Sequence, residues 1–286
     1  MRVVAVVLSY NGREDTLAAL ESLRAIDTVV VDNGSVDGSA EAVAERFPDT
    51  ELVRAGVNLG FAGGNNVGIR RALDRGADWV LLVNNDAEVE PGLLDALAAA
   101  AAARPDAGVL ACKVLVADSG RLWYAGAGFS PALGRSRHEG FGKPDAPGEL
   151  RDTVRATGAA MAVSRAAIEA AGLLDEELFL YAEDLEWSLR IREAGFAVVY
   201  VPGARVRHRV SAATGGAGSP TTTYYETRNM LAVVERHRPL PRGLTGLRRG
   251  LVVAPRVLLA ARRPATAWAA LRGWRDYRRG RMGRRG

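Results

Sequence analysis

The chain has 286 residues, 48% of them hydrophobic and 25% charged, with a mean hydropathy of −0.03. This fits one large or two small globular domains and excludes a disordered, collagenous or polytopic membrane chain. The single cysteine, Cys112, excludes an intrachain disulfide or a four-thiolate zinc site and suits a reducing cytosol. The net charge of +5 is unevenly spread: residues 239–286 carry thirteen arginines against one acid, Asp276, so residues 1–238 are net acidic.

The apolar run at 3–8 reaches polar Ser9 and Asn11 too soon for a signal-peptide core and reads as a first buried strand. Similar runs at 28–32, 51–54 and 79–83 alternate with helical patterns at 14–23, 39–46, 64–75 and 91–104, the last with Pro91 at its start. Repeated β–α units predict a parallel sheet whose ligands bind beyond the carboxyl ends of the strands. The clusters SYNG, DNGSVDGS, NLGFAGGNN and NNDAEV all fall on that edge. A strand at 108–114 precedes a Gly-, Pro- and aromatic-rich stretch, 120–148, expected as a hairpin or mobile loop. Beyond it the pattern predicts a strand into Ala162, a helix ending at Gly172, a helix over 183–194 closed by Gly195 and a strand over 197–201. A flexible loop over 212–220 and a helix over 221–237 follow. No segment approaches the roughly 18 to 20 apolar residues that span a bilayer, since Pro255 and Arg256 interrupt the nearest, from Leu251.

Six residues could carry chemistry. Asp32 ends the second strand, where an acid accepts hydrogen bonds from a ribose or base, although turn and cap chemistry also place acids there. Tyr10, in the first loop, could stack on or edge a base, and SYNGRED lacks the glycine triad of a dinucleotide grip. Asp86 follows the fourth strand after Asn84 and Asn85; a strand-end acid can hold a hard divalent cation whose other ligands come from a diphosphate, or can simply sit in a solvated turn. Glu183 and Asp184 open an amphipathic helix behind FLY, at the positive end that keeps a carboxylate ionised as a general base requires. His208 could complete a metal site with Asp86 or be a structural partner of nearby backbone.

Taken in order, VVLSYNG, VVVDNGSVDGS, NLGFAGGNN, VLLVNND, ATGAAMAVSR, YAEDLEWSLRIREAGF and VRHRVS resemble the inverting family 2 glycosyltransferases of GT-A fold, most like the bacterial rhamnosyltransferase branch. The resemblance covers residues 1–235. It implies an α/β fold with a mainly parallel twisted sheet flanked by helices, a nucleotide-sugar donor, a divalent cation (Mg²⁺ or Mn²⁺) and direct displacement at the anomeric carbon. By position it implies that Ser9, Tyr10, Asp32, Asn65 and Asn84 bind the nucleotide and that Asp86 and His208 hold the metal. Asp184 would be the base, with Thr157, Gly158, Glu183 and Trp187 bordering a saccharide or lipid-linked saccharide acceptor. The NND row offers one acid where the family's metal motif usually has two or three. YYETRN, at 224–229, recurs in the branch without an evident chemical role.

A sugar-1-phosphate nucleotidyltransferase would want a Gly-rich basic loop after the first strand, which SYNGRED supplies only as Gly12 and Arg13. A catalytically silent nucleotide-binding membrane adaptor is the other alternative, and it turns on whether Asp86 and Asp184 converge. Residues 1–238 are expected to form the transferase domain and 239–286 a basic helical tail. In that tail Leu247, Leu251, Val252, Val253, Leu258, Trp268 and Trp274 are mixed with arginine, which suits an interfacial helix on anionic lipid at the cytoplasmic face of the plasma membrane more than nucleic-acid binding. A terminal helical pair packed on the domain with a solvated arginine face is the other reading of the same residues.

Overall fold

A computed structural model describes residues 1–209, 218–259 and 263–285. Strands β1 (Val3–Ser9), β2 (Asp27–Asp32), β3 (Glu51–Arg54) and β4 (Trp79–Asn84) alternate with helices α1 (Arg13–Ser22), α2 (Ser39–Arg46) and α3 (Gly60–Asp74). Their aliphatic residues are buried on both faces, as strands flanked by helices require. These four strands are parallel, in the order β3-β2-β1-β4.

Past β4 come β5 (Ala87–Val89), α4 (Leu93–Ala103) and β6 (Ala107–Val116). The stretch expected as a hairpin or loop contains β7 (Leu122–Tyr124) and a true hairpin of β8 (Ala127–Ser130) with β9 (Arg135–His138), followed by β10 (Arg151–Asp152). Strand β11 (Ala160–Ser164) runs antiparallel between β4 and β6, pairing Ala160 with Val83. That insertion delivers residues 157–159 to the carboxyl end of β4, where the Asn84 N–H donates to the Ala159 carbonyl at 3.0 Å. Helices α5 (Arg165–Ala171) and α6 (Glu183–Glu193) lead to β12 (Ala197–His208). The strand expected to stop at Val201 shifts register between Val201 and Arg205 and continues to His208, which pairs with Ala87. This extension sets His208 beside Asp86.

Helix α7 (Pro220–His237) carries YYETRN, and the expected 212–220 loop lies largely outside the described residues. The tail forms α8 (Arg242–Leu259) and α9 (Pro264–Arg278), which pack on α7. Val252 and Val253 are buried with Leu231 and Val234 of α7 and with Leu185 and Leu189 of α6, and Leu271, Trp274 and Tyr277 lie against that cluster. Much of the apolar content expected to face lipid is therefore core, because burial on α6 and α7 removes it from water more completely than an interface would. Leu244, Leu247, Leu251 and Leu258 remain exposed at helical spacing on α8, as does Trp268 on α9. Among the described residues no helix is long and apolar enough to cross a membrane.

The α7–α9 contact is so close that a Cβ added to Gly273 would lie 2.5 Å from the Tyr224 carbonyl oxygen. Gly273→Val should therefore force the helices apart and destabilise the chain by about 1–3 kcal/mol. Urea unfolding checks this, and an unchanged midpoint contradicts the packing.

Candidate active site

The carboxyl ends of β1, β2 and β4 are in register, with Ser9 opposite Asp32 and Leu8 opposite Asn84. Their loops are cross-tied. Asn11, at a left-handed φ of 59°, accepts from the Val36 N–H and receives the Asn85 side-chain amide on its carbonyl at 2.9 Å. The Asn85 amide also reaches Thr16 Oγ1 at 3.0 Å. Asp32 Oδ1 accepts from the Ser35 N–H at 3.1 Å. Tyr10 stands at the rim, 41% exposed. Ser9 is buried beneath the loop with its hydroxyl 3.2 Å from that of Thr16, and buried Asn65 donates to the Phe61 carbonyl. In this arrangement those two side chains shape the loops from within.

At the end of β4, Asp86 Oδ1 lies 2.9 Å from His208 Nε2, and both side chains are buried. Two cis ligand atoms at about 2.1 Å from one ion are about 3 Å apart, so the pair is spaced to share a divalent cation. His208 Nδ1 is buried without a hydrogen-bond partner. Glu88, two residues on, is turned to Arg209 instead, and the described residues contain no group of three or more acid, histidine or cysteine ligands. These two residues would fit a divalent cation only if its remaining ligands were supplied by a bound molecule or water.

Across the site, the Asp184 carboxylate is held by Arg155 Nη1 at 2.7 Å on one oxygen and the Gly158 N–H at 3.1 Å on the other. Arg155 Nη2 lies 2.6 Å from His138 Nε2. A guanidinium can only donate, so Nε2 accepts and the proton sits on Nδ1, which donates to the Trp123 carbonyl at 3.0 Å. Burial, reinforced by Arg155, lowers the His138 pKa to about 4 and keeps this ring neutral. The Trp123 ring packs edge-on against both His138 and His208, at centroid distances of 4.4 and 4.9 Å. One contiguous chain of side chains thus joins Asp86 to Asp184.

Glu183 is buried with Oε2 unpartnered, and burial followed by the adjacent Asp184 charge pushes its pKa up to about 8. The two neighbouring acids are therefore different: Asp184 is an ion-paired carboxylate and Glu183 carries a proton near neutrality. Thr157 is buried with its hydroxyl turned to the Ala159 N–H. Trp187 is a correction to the sequence reading. It lies in the core with its indole N–H on the Gly172 carbonyl at 2.7 Å, because position 187 of α6 faces the sheet and leaves nothing for an acceptor.

The sequence reading missed Arg155, His138, Trp123 and the function of YYETRN. The turn before α6 holds three non-glycine residues at positive φ: Phe179 at 61°, Tyr181 at 67° and Ala182 at 70°. The Asn229 side-chain nitrogen lies 2.7–2.8 Å from the carbonyl oxygens of Leu178, Leu180 and Tyr181, with its own oxygen fixed by Arg228 Nε at 2.9 Å. Arg228 also donates to the Leu178 carbonyl. The Phe179 carbonyl receives the Phe61 N–H at 2.7 Å, so the turn also caps α3. Here a Cβ on Gly60, itself at φ 77°, would lie 2.4 Å from the Phe179 ring. An arginine before a glycine turn and an Arg-Asn pair inside a helix carry no spacing signal that distinguishes them from surface residues.

A mainly parallel α/β sheet with polar loops on one carboxyl edge, an Asp–His pair there and a carboxylate tied to the same edge through Gly158 is the arrangement expected of a nucleotide-sugar transferase. The chain belongs to glycosyltransferase family 2: the model described as "Glycosyltransferase like family 2" matches residues 2–235. It is 31% identical over 260 residues to an N-acetylglucosaminyl-diphospho-decaprenol L-rhamnosyltransferase of Mycobacterium tuberculosis, covering 82% of this chain and 84% of that one. It is 26% identical over 250 residues to the dTDP-rhamnosyl transferase RfbF of Shigella flexneri, covering 83% and 82%. Among solved structures, a Pyrobaculum calidifontis mannosyltransferase in complex with GDP-Man and Mn²⁺ superposes with a TM-score of 0.58 at 21% identity, over 98% of this chain and 83% of that one. GalNAc-T7, with UDP, GalNAc and Mn²⁺, gives a TM-score of 0.64 at 17% identity over 88% of this chain and 54% of that one. These two likenesses establish the GT-A fold.

The folded-state pKa of Glu183 is raised above the ordinary 4.5, so the group favours folding most below that value, and the advantage is lost as pH rises through about 8. Glu183→Gln should flatten the decline of Tm between about pH 5 and 9. Parallel Tm–pH curves for the two proteins contradict the assignment.

Proposed function

We propose that the chain is an inverting rhamnosyltransferase that moves rhamnose from dTDP-rhamnose to a hydroxyl of a lipid-linked saccharide in cell-envelope polysaccharide synthesis. The observation that carries this reading is the convergence of Asp86–His208 and Asp184–Arg155 on one sheet edge, joined through Trp123 and His138. The sugar and acceptor are favoured by the names and near full-length coverage of the mycobacterial and Shigella relatives.

In this reading Tyr10 and Asp32 receive the base and ribose, with Asn84 beside them. Ser9 and Asn65 keep the surrounding loops in shape. Asp86 and His208 would hold a divalent cation, which when bound supplies positive charge to the departing diphosphate. Asp184 takes the proton from the acceptor hydroxyl as that oxygen bonds to the anomeric carbon; the bond from that carbon to the diphosphate oxygen breaks, and dTDP leaves with the electron pair. Arg155 and the Leu185 N–H occupy Oδ1 and the Gly158 N–H holds one side of Oδ2, which leaves Oδ2 as the oxygen that takes the proton. Glu183, which retains its proton near neutrality, borders the acceptor with Thr157 and Gly158. Asp–His coordination, one oxygen and one nitrogen, suits Mn²⁺ at least as well as Mg²⁺. Thymine and uracil differ by one methyl, worth only about 1–3 kcal/mol of discrimination in an apolar pocket, so UDP-hexoses are the competing donors.

The domain division at 238 and peripheral attachment to the cytoplasmic membrane face belong to the same proposal. The attachment is supported by the outward leucine stripe on α8 and the arginine-rich tail, a combination that suits an interfacial helix; the division rests on the charge asymmetry alone, since α8 and α9 share a core with α6 and α7.

Asp184→Asn should cut turnover by about 100-fold or more while leaving donor binding nearly intact, because the amide keeps the shape and loses the basicity. Steady-state rates with calorimetric donor affinities check this. Near-normal turnover removes Asp184 as the base, and turnover of UDP-sugars in preference to dTDP-rhamnose replaces the donor while leaving the reaction class in place.

A further inference from the structure

A cavity of about 410 Å³ opens between α7, α9 and residues 281–285, and none of its walls comes from the loops at the carboxyl edge of the sheet. Six guanidinium groups line it, from Arg228, Arg272, Arg275, Arg281, Arg284 and Arg285, against the single carboxylate of Asp276. Two of these residues are already committed. Arg228 is buried and spends its nitrogens on Asn229, Leu178 and Gly283, while Arg275 Nε lies 3.4 Å from Asp276. Asp276 in addition accepts from the Tyr224 hydroxyl at 3.1 Å. Arg285 stacks over the Tyr224 ring at 5.0 Å. Among the described residues, no carboxylate comes within ion-pair distance of Arg272, Arg281, Arg284 or Arg285.

Like charges gathered on a concave wall repel one another unless an anion joins them, and the same concavity focuses their field on its centre. Guanidinium forks match phosphate oxygens in shape as well as charge, and the volume is that of a small-ligand site. Trp268 stands exposed one turn ahead of Arg272 on the same face of α9, and an indole beside arginines is the pairing found where a protein meets lipid headgroups.

We propose that this cavity binds a phosphate or diphosphate group, presented by an anionic lipid headgroup or by a free phosphate compound. The proposal does not depend on which sugar is transferred.

The test uses the full chain, Arg272→Gln/Arg284→Gln in the cavity, and Arg278→Gln/Arg279→Gln as a control that removes equal charge from the same tail outside it. Pyrophosphate titrated by calorimetry should bind the parent and the control, and bind the cavity variant about tenfold or more weakly. Equal affinity for both variants, or no binding by the parent, overturns the site. Flotation with phosphatidylglycerol vesicles, against phosphatidylcholine, then separates the sources. Loss in the cavity variant alone assigns a lipid headgroup; equal flotation of both variants, with cavity-dependent pyrophosphate binding, assigns a free phosphate compound. Both variants should retain transfer to a soluble acceptor. If the double cavity variant fails to fold, exposed Arg284→Gln alone serves, with the same outcomes.

Discussion

The site depends on a turn that would not hold its shape alone. Phe179, Tyr181 and Ala182 sit at positive φ immediately before the helix that carries Glu183 and Asp184, and each such residue costs roughly 1–2 kcal/mol. The Asn229 amide, reaching three carbonyl oxygens of the turn, offsets that cost, and Arg228 holds the amide in its orientation. The same turn lends its Phe179 carbonyl to the start of α3. One polar pair on α7 therefore fixes both the start of the acidic helix and a helix that packs against β1 and β2.

From this anchor the electrostatics follow. Asp184 faces Arg155, whose second nitrogen needs an acceptor, and neutral His138 supplies one because burial suppresses its protonation. Glu183, without a cation of its own, retains a proton. The β7–β9 insert brings Trp123 and His138 between the two halves of the site, and the continuation of β12 brings His208 to Asp86. The tail belongs to this architecture, since α8 and α9 pack against the helix that bears the anchor.

The alternating pattern of the first four strands was legible because each is a short aliphatic run ending in polar residues, and the loops on the carboxyl edge followed from it. Asp32, Asp86 and Asp184 were legible for the same reason: each stands where an element begins or ends. The extension of β12 to His208 was not, because Pro202 and Gly203 read as an ending whereas the chain absorbs them in a register shift. Arg155 and Asn229 were hidden because their partners lie 29 and about 50 residues away in sequence, and their roles exist only after the sheet and α7 are assembled. Trp187 misled because its neighbours are polar, while helical periodicity turns it inward. The tail's valines and Trp274 matched an interfacial pattern equally well, and only the apolar surface of α6 and α7 decides where they go.

In the proposed reading the Asp86–His208 corner and the Arg155-held Asp184 form one catalytic centre. A crystal structure with Mn²⁺ and an intact dTDP-sugar should then show an anomalous manganese peak at Asp86 and His208 beside the donor diphosphate, with the Asp184 carboxylate facing the anomeric carbon from the side opposite that diphosphate. Manganese bound elsewhere, or Asp184 on the same side as the leaving group, contradicts this reading.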